Sequence, residues 1–378
     1  MKNKFFSVIL SILVSIVGFA GGFAYRVFIE DAPKSDVYVS GDLSIHFLQL
    51  GNIYTGDSVY IKCGENDILV DAGSANDSSA TIIEYVDQFV EDNTLEYVIA
   101  THGHTDHIAA FYSEAGRESV FDHYKVETII DFPLTNSSGG ERTVVGKYRK
   151  ARDAEVEKGA KHYTALDCYN NANGASRVYK LSDSVELEIL YNFYYENEDK
   201  YDENNYSVCF MINQGDNHYM FTGDLEKEGE EELVKYYEAN HGGLPQCVLY
   251  KAGHHGSKTS SCSDFMAAIQ PKYVCVCCCA GTSEYTDEAE NQFPTQRMID
   301  NVAPYTDKVY VTSVVDDYVD HDNWDKYGTV KPLNGNIVFT VSAGKISIEC
   351  SHSNLILKET DWFKENRTMP SEWAAWIL

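Results

Sequence analysis

Positive charge is scarce in this 378-residue sequence: 30 lysines and arginines stand against 58 aspartates and glutamates, a net charge of −28. Such a surface repels polyanions at long range, and no basic stripe runs along the chain to track a phosphate backbone. The imbalance argues against a dedicated nucleic-acid binder, although bound divalent cations would invert the field locally. Internal repeats are lacking too. So is the polar excess of a disordered chain: hydrophobic residues make up 44% and charged residues 23%, which are globular values. The length suffices for one large domain or two smaller ones.

The N-terminus is a targeting element. Met1-Lys2-Asn3-Lys4 forms a short basic head, and Phe5 to Ala24 is free of charge for 20 residues, about the length that spans a bilayer as a helix. Lysines before the run and Arg26, Glu30 and Asp31 after it predict an N-inside anchor with the body exported. A cleaved signal peptide is the alternative, since Gly21-Gly22-Phe23-Ala24 offers small residues near a cut. The expected division is residues 1–28 as anchor or signal peptide, 29–41 as linker, 42–353 as the main domain and 354–378 as a Trp-bearing tail. That tail would rest on the body or touch the membrane interface.

Ten cysteines fit an exported protein awkwardly, because export favours disulfides. Four of them lie in Tyr273-Val274-Cys275-Val276-Cys277-Cys278-Cys279-Ala280, which reads as a buried strand with cysteine as a small hydrophobe. A zinc cluster from these four is the alternative, but neighbouring strand residues face opposite ways and do not easily converge on one ion. Elsewhere, short alternating runs predict strands at 44–50, 58–63, 68–70, 96–100, 128–130, 185–190, 208–212, 219–221, 248–250, 308–315, 335–341 and 346–350. Helical spacing appears at 81–91, 141–159, 226–240 and 263–269. Strands, hairpins and helices in this order describe a layered α/β sandwich.

Chemistry concentrates at strand ends. The run Glu96-Tyr97-Val98-Ile99-Ala100 leads into Thr101-His102-Gly103-His104-Thr105-Asp106-His107, which places three of twelve histidines within six residues. Imidazole and carboxylate are ligands for zinc and similar cations. One tetrahedral ion would not use all four from so short a loop. Two neighbouring ions suit the spacing better, His102 and His104 toward one, Asp106 and His107 toward the other. Asp71, Asp224 and His254-His255 also follow strands, and strand ends gathered at one sheet edge are where α/β enzymes build sites. The expected chemistry is two-metal hydrolysis, in which the cations activate a water and steady charge on the attacked group.

These residues resemble the metallo-β-lactamase superfamily. The likeness rests on Ile68-Leu69-Val70-Asp71-Ala72-Gly73, the HxHxDH at His102 to His107, Thr222-Gly223-Asp224, and Lys251-Ala252-Gly253-His254-His255-Gly256-Ser257. The last motif, with Phe293-Pro294 downstream, is similar to the hydrolase domain of ComEC-type competence proteins and to teichoic-acid phosphorylcholine esterases. The resemblance covers roughly residues 42–350 and implies an αββα sandwich. It implies that His102, His104 and Asp224 hold a first metal, and Asp106, His107, Asp224 and His255 a second. Zinc is the implied cation, with manganese as its substitute. Asp71 and Lys251 would stand behind the ligands. Asp106 and His254 would be catalytic, His254 as proton donor to the leaving group or, alternatively, as a structural hydrogen-bonding residue. The first site's usual third histidine has no counterpart: His123, His162 and His218 lie in the interval, none in a ligand-like motif.

The resemblance implies a phosphodiesterase acting outside the cell on a choline-bearing wall polymer, a nucleic acid or another phosphodiester. The acidic, aromatic stretch Tyr191 to Tyr206 reads as an ordinary surface loop, with quaternary-ammonium binding by cation–π contact as the alternative. Lactone or β-lactam hydrolysis would use the same metals. A DNA-uptake accessory without turnover is the non-enzymatic reading, and the chain lacks the basic groove and multi-span channel for it.

Overall fold

A computed structural model of the chain describes residues 43–317 and 329–375. The N-terminal segment read as an anchor or signal peptide lies outside them. Among the described residues no helix is long and apolar enough to cross a membrane.

Two eight-stranded sheets form the body. The first contains β1 (Leu43–Phe47), β2 (Val59–Cys63), β3 (Asn66–Val70), β4 (Thr94–Ala100), β5 (Lys125–Asp131) and β6 (Lys161–Thr164). The second contains β7 (Val178–Lys180), β8 (Val185–Ile189), β9 (Phe210–Gln214), β10 (Asn217–Phe221), β11 (Leu249–Lys251), β12 (Tyr273–Ala280), β13 (Val309–Asp317) and β14 (Thr329–Pro332). The chain then returns to the first sheet with β15 (Ile337–Ser342) and β16 (Lys345–Cys350), giving the orders β16-β15-β1-β2-β3-β4-β5-β6 and β14-β13-β12-β11-β10-β9-β8-β7.

Alternation along each strand divides the side chains between layers. Phe47 faces Phe221 of the other sheet, while its neighbour His46 turns outward to the hydroxyl of Tyr85 beside the helix Ser78–Val86. In β12, Cys275 and Cys277 join the large core that includes Phe210 and Phe221. Val274, Val276 and Cys278 face the other way, with Leu233, Phe265, Met266 and Ile299 from the helices covering the second sheet. The cysteine strand is therefore a packing element, and none of the ten thiols is in a disulfide. Helices on the outer faces and two sheets between them make an αββα sandwich.

Several boundaries differ from the sequence reading. The helix expected at 81–91 is Ser78–Val86, and Phe89 and Val90 continue as a turn that still packs on the core. The helix expected from 141 begins at Val144, where the Thr143 side chain caps Gly146. The stretch from Tyr191 to Tyr206 is not a plain surface loop: it makes two 3-10 turns, and Tyr195 and Tyr206 are buried.

The C-terminal segment lies against the second sheet's helical layer. Trp373 is fully buried and donates its indole N–H to the Thr306 carbonyl at 2.7 Å. Arg367 donates to the carbonyls of Ala289, Gln292 and Pro294.

Candidate metal centre

Four strand ends meet at one rim. β3 and β4 run parallel, as do β10 and β11, so the residues after each of these strands emerge on the same edge. Asp71 follows β3, the HxHxDH follows β4, Asp224 follows β10, and His254-His255 follow β11. The backbone is forced there. Asp71, His254 and His255 all take positive φ, 57°, 45° and 52°, a conformation that costs energy without glycine and collects at functional sites. Gly73 allows the loops to close: a Cβ there would fall 1.6 Å from the Asp106 carbonyl oxygen. Backbone bonds from Asp57 to the Asp106 carbonyl, from Ala72 to that of His107 and from Gly73 to that of Asp57 stitch the rim together.

Asp224 sits at the centre. Its Oδ2 lies 3.1 Å from His107 Nε2 and 3.2 Å from His255 Nε2. His255 Nε2 is also 3.3 Å from Asp106 Oδ2. The His102 ring lies 4.1 Å from that of His107, and His102 Nε2 approaches His104 Nδ1 at 3.1 Å. All six residues expected as ligands thus fall in one contiguous cluster. His102, His107, Asp224 and His255 are buried, Asp106 is partly covered, and His104 is exposed.

Behind the cluster, each of two imidazoles is held at its far nitrogen by a carboxylate, which leaves the near nitrogen for a cation. Asp71 Oδ2 is 2.8 Å from His107 Nδ1 and also accepts the Thr101 hydroxyl at 2.8 Å. Asp57 Oδ1 is 3.1 Å from His255 Nδ1. Asp57 was missed in the sequence, as was its ion pair with Lys251, whose ammonium is 3% exposed and lies 3.7 Å from Asp224 Oδ1. Asp57 preceded a strand rather than following one. Because β2 runs antiparallel to β3, however, the start of β2 shares an edge with the end of β3. Ser207 reaches the site by the same route ahead of β9, antiparallel to β10; its hydroxyl accepts the Asp224 N–H at 3.0 Å and lies 3.4 Å from His102 Nδ1.

The charges show what the site requires. Burial alone would lower the pKa of His107, yet the carboxylates of Asp224 and Asp71 hold it well above the usual value. His255 is likewise held up against burial by Asp224 and Asp57. Burial would raise Asp224, but His107 and His255 keep it well below the usual carboxylate range. Protons on two imidazoles are thus standing in for positive charge among Asp57, Asp71, Asp106 and Asp224. Asp224 Oδ1 is buried without a hydrogen-bond partner. Asp57, His107, Asp224 and His255 each offer a donor atom within 4.8 Å of the others. Borderline nitrogen donors, hard oxygen donors and an unused carboxylate oxygen fit divalent cations.

His254 turns away from its neighbour. Its Nδ1 lies 3.0 Å from the Thr259 hydroxyl and 3.3 Å from Glu226, and its Nε2 is 4.0 Å from Asp224 Oδ2. His123 pairs with Asp87 and Glu118, His162 with Asp131, and His218 with Asn213. None of these three histidines fills the place of a third ligand at the first site.

Residues 51–128 match the family model of the metallo-β-lactamase superfamily. The chain is 31% identical over 140 residues to ComE operon protein 3 of Bacillus subtilis, covering 35% of this chain and 17% of that protein. It is 36% identical over 91 residues to competence protein ComA of Neisseria gonorrhoeae, 24% of this chain and 12% of that one. The matches therefore span less than a fifth of either relative's length. Among solved structures, the metallo-β-lactamase fold protein YhfI from Bacillus subtilis aligns over 77% of this chain and 99% of its own, at 11% identity and a TM-score of 0.41. Over residues 51–128 the chain is thus similar to the metallo-β-lactamase superfamily, and the two relatives it resembles are competence proteins.

Proposed function

We propose that the protein is a phosphodiesterase using two divalent cations, zinc or manganese, held by its N-terminal segment at the outer face of the cell membrane. The observation that carries this reading is Asp224, a buried carboxylate placed between two histidine sets with one oxygen that accepts no hydrogen bond. His102, His104 and Asp224 would hold one cation; Asp106, His107, Asp224 and His255 the other. Such a pair, when bound, supplies an activated water and steadies the attacking and leaving oxygens of a phosphoryl transfer.

The chain's own residues do the positioning. Asp71 and Asp57 fix the imidazoles of His107 and His255, and Lys251 offsets the charge of Asp57. His254, backed by Glu226 at Nδ1, keeps Nε2 toward the cluster, where it can protonate a leaving oxygen. The net charge of −28 favours a small or wall-borne phosphodiester over a long nucleic acid. The charge-free run at 5–24 after two lysines supports the anchor.

The test is turnover of bis-p-nitrophenyl phosphate, p-nitrophenyl phosphorylcholine, a lactone, a cephalosporin and single-stranded DNA, each with and without chelator. Diester hydrolysis lost in chelator and restored by zinc or manganese is expected; full activity in chelator or in Asp106→Ala would refute the metal mechanism. Membrane fractionation and protease shaving of whole cells test the placement.

A further inference from the structure

The groups that hold the cluster from behind share one property: Asp57, Asp71, Thr101 and Lys251 are buried, none more than 3% exposed. Tyr285 differs. It is 52% exposed, yet its hydroxyl donates to Asp106 Oδ2 at 2.7 Å, the oxygen that faces His255 Nε2. Asp106 is itself only partly covered and His104 is exposed, so the cluster is open to solvent at these two residues.

The loop that carries Tyr285 is pinned on both flanks. Glu284 accepts the Thr55 N–H at 2.7 Å, from the same loop that ends at Asp57. Arg367 holds the carbonyls of Ala289, Gln292 and Pro294. The Tyr285 ring lies 5.5 Å from Phe293, and Phe293 is 6.0 Å from the His255 ring. The phenol is therefore a fixed donor on an aromatic wall beside the site.

We propose that Tyr285 is a substrate-contacting residue whose hydroxyl donates a hydrogen bond to a nonbridging phosphoryl oxygen seated beside Asp106. This rests on the phosphodiesterase reading. A cation held by Asp106 would weaken this carboxylate as an acceptor for the phenol proton, and the substrate's anionic oxygen would be the acceptor within reach. A donor preorganised for that oxygen stabilises charge without rearrangement. His254 and Tyr285 then divide the work: His254 serves the leaving oxygen, and Tyr285 holds the phosphoryl group.

The experiment compares wild type, Tyr285→Phe and Tyr285→Ala as full-length, metal-loaded protein. Metal content is measured by mass spectrometry, inorganic phosphate binding by calorimetry, and kcat and KM with bis-p-nitrophenyl phosphate. Expected are unchanged metal content, phosphate binding weaker by about 10-fold, and kcat/KM lower by about 10- to 100-fold, the scale of one hydrogen bond to a charged group. Tyr285→Ala must be at least as impaired as Tyr285→Phe in phosphate binding. Equal phosphate affinity in wild type and Tyr285→Phe overturns the proposal, as does loss of metal from Tyr285→Phe, which would make the phenol a support for Asp106. If wild type hydrolyses no diester, the parent reading fails by itself, and the phosphate measurement still decides for or against Tyr285 as an oxyanion donor.

Discussion

The two sheets deliver matching sets of residues to the rim and use them differently. In each, a hairpin ends in a carboxylate, Asp71 after β3 and Asp224 after β10, and the next parallel strand ends in histidines. In each, the hairpin's first strand starts near a polar residue that reaches across to the other sheet's histidine: Asp57 to His255, and Ser207 to His102. The difference lies in what remains unpaired. Asp71 gives its oxygens to the Thr101 N–H and hydroxyl and to His107, so it is spent on support. Asp224 keeps Oδ1 without a hydrogen bond, the Lys251 ammonium standing 3.7 Å away. Equivalent places in two halves have thus become a scaffold in one and, on the proposed function, a ligand in the other, in line with how many hydrogen bonds each carboxylate already accepts.

The sharpest way to break this comparison is to mutate both carboxylates. Asp224→Ala should abolish tight cation binding and lower turnover on the order of 1000-fold or more, at least what one preorganised electrostatic group supplies. Asp71→Asn should keep the cations, with affinity weaker by about 10- to 100-fold. Calorimetric titration with zinc measures both, and equal losses would erase the distinction.

Lys251 tests the buried charge that balances the halves. Lys251→Met removes the ammonium from Asp57, leaving His255 and His107 beside it, and should destabilise the fold by up to about 3–5 kcal/mol, read as a shift in the urea midpoint. Adding Asp57→Asn should recover part of the loss; a double variant no better than the single one would mean the pair is uncoupled.

Acidity separates the groups by sign. His107 and His255 are raised above 6.5 in the folded metal-free protein, so their contribution is complete below 6.5 and is lost as pH rises through the folded values. Asp57, Asp106 and Asp224 are depressed below 3.8, so theirs is present above 3.8 and is lost as pH falls through the folded values. The contribution of these five groups to the stability of the metal-free protein should be greatest between about pH 4 and 6.5. Cations that displace the imidazole protons should then raise Tm more at pH 8 than at pH 6. Thermal melts with and without zinc across that range measure it, and a pH-independent increment would contradict the assignment of the protons.

The smallest expected effect concerns the thiols. Nine of the ten cysteines are buried and Cys350 is partly covered, so a thiol reagent should label at most one quickly in the native state and all ten after denaturation. Fewer than ten under denaturing, non-reducing conditions would reveal disulfides.

Much of this was legible because the ligands follow apolar runs. The strands ending at Val70, Ala100, Phe221 and Lys251 announce themselves by composition, and the residues after them are ligand types. Asp57 and Ser207 were not legible because they precede their strands, and only the antiparallel pairing of β2 with β3 and β9 with β10 brings those starts to the same edge. Tyr285 sits in an irregular loop with no periodic signal. The short strands β6, β7 and β14 escaped because Lys161–Thr164, Val178–Lys180 and Thr329–Pro332 are only four, three and four residues long, too short for an alternation to show.

The grip of Arg367 on three main-chain carbonyls has a practical reach. The aromatic partition beside the candidate metal centre is latched by a guanidinium from some seventy residues further along, so trimming the polypeptide just ahead of Arg367 would unlatch it. A shortened variant that kept its metals but lost selectivity among esters would be the sign that this distant clasp, rather than the ligands, sets the width of the doorway.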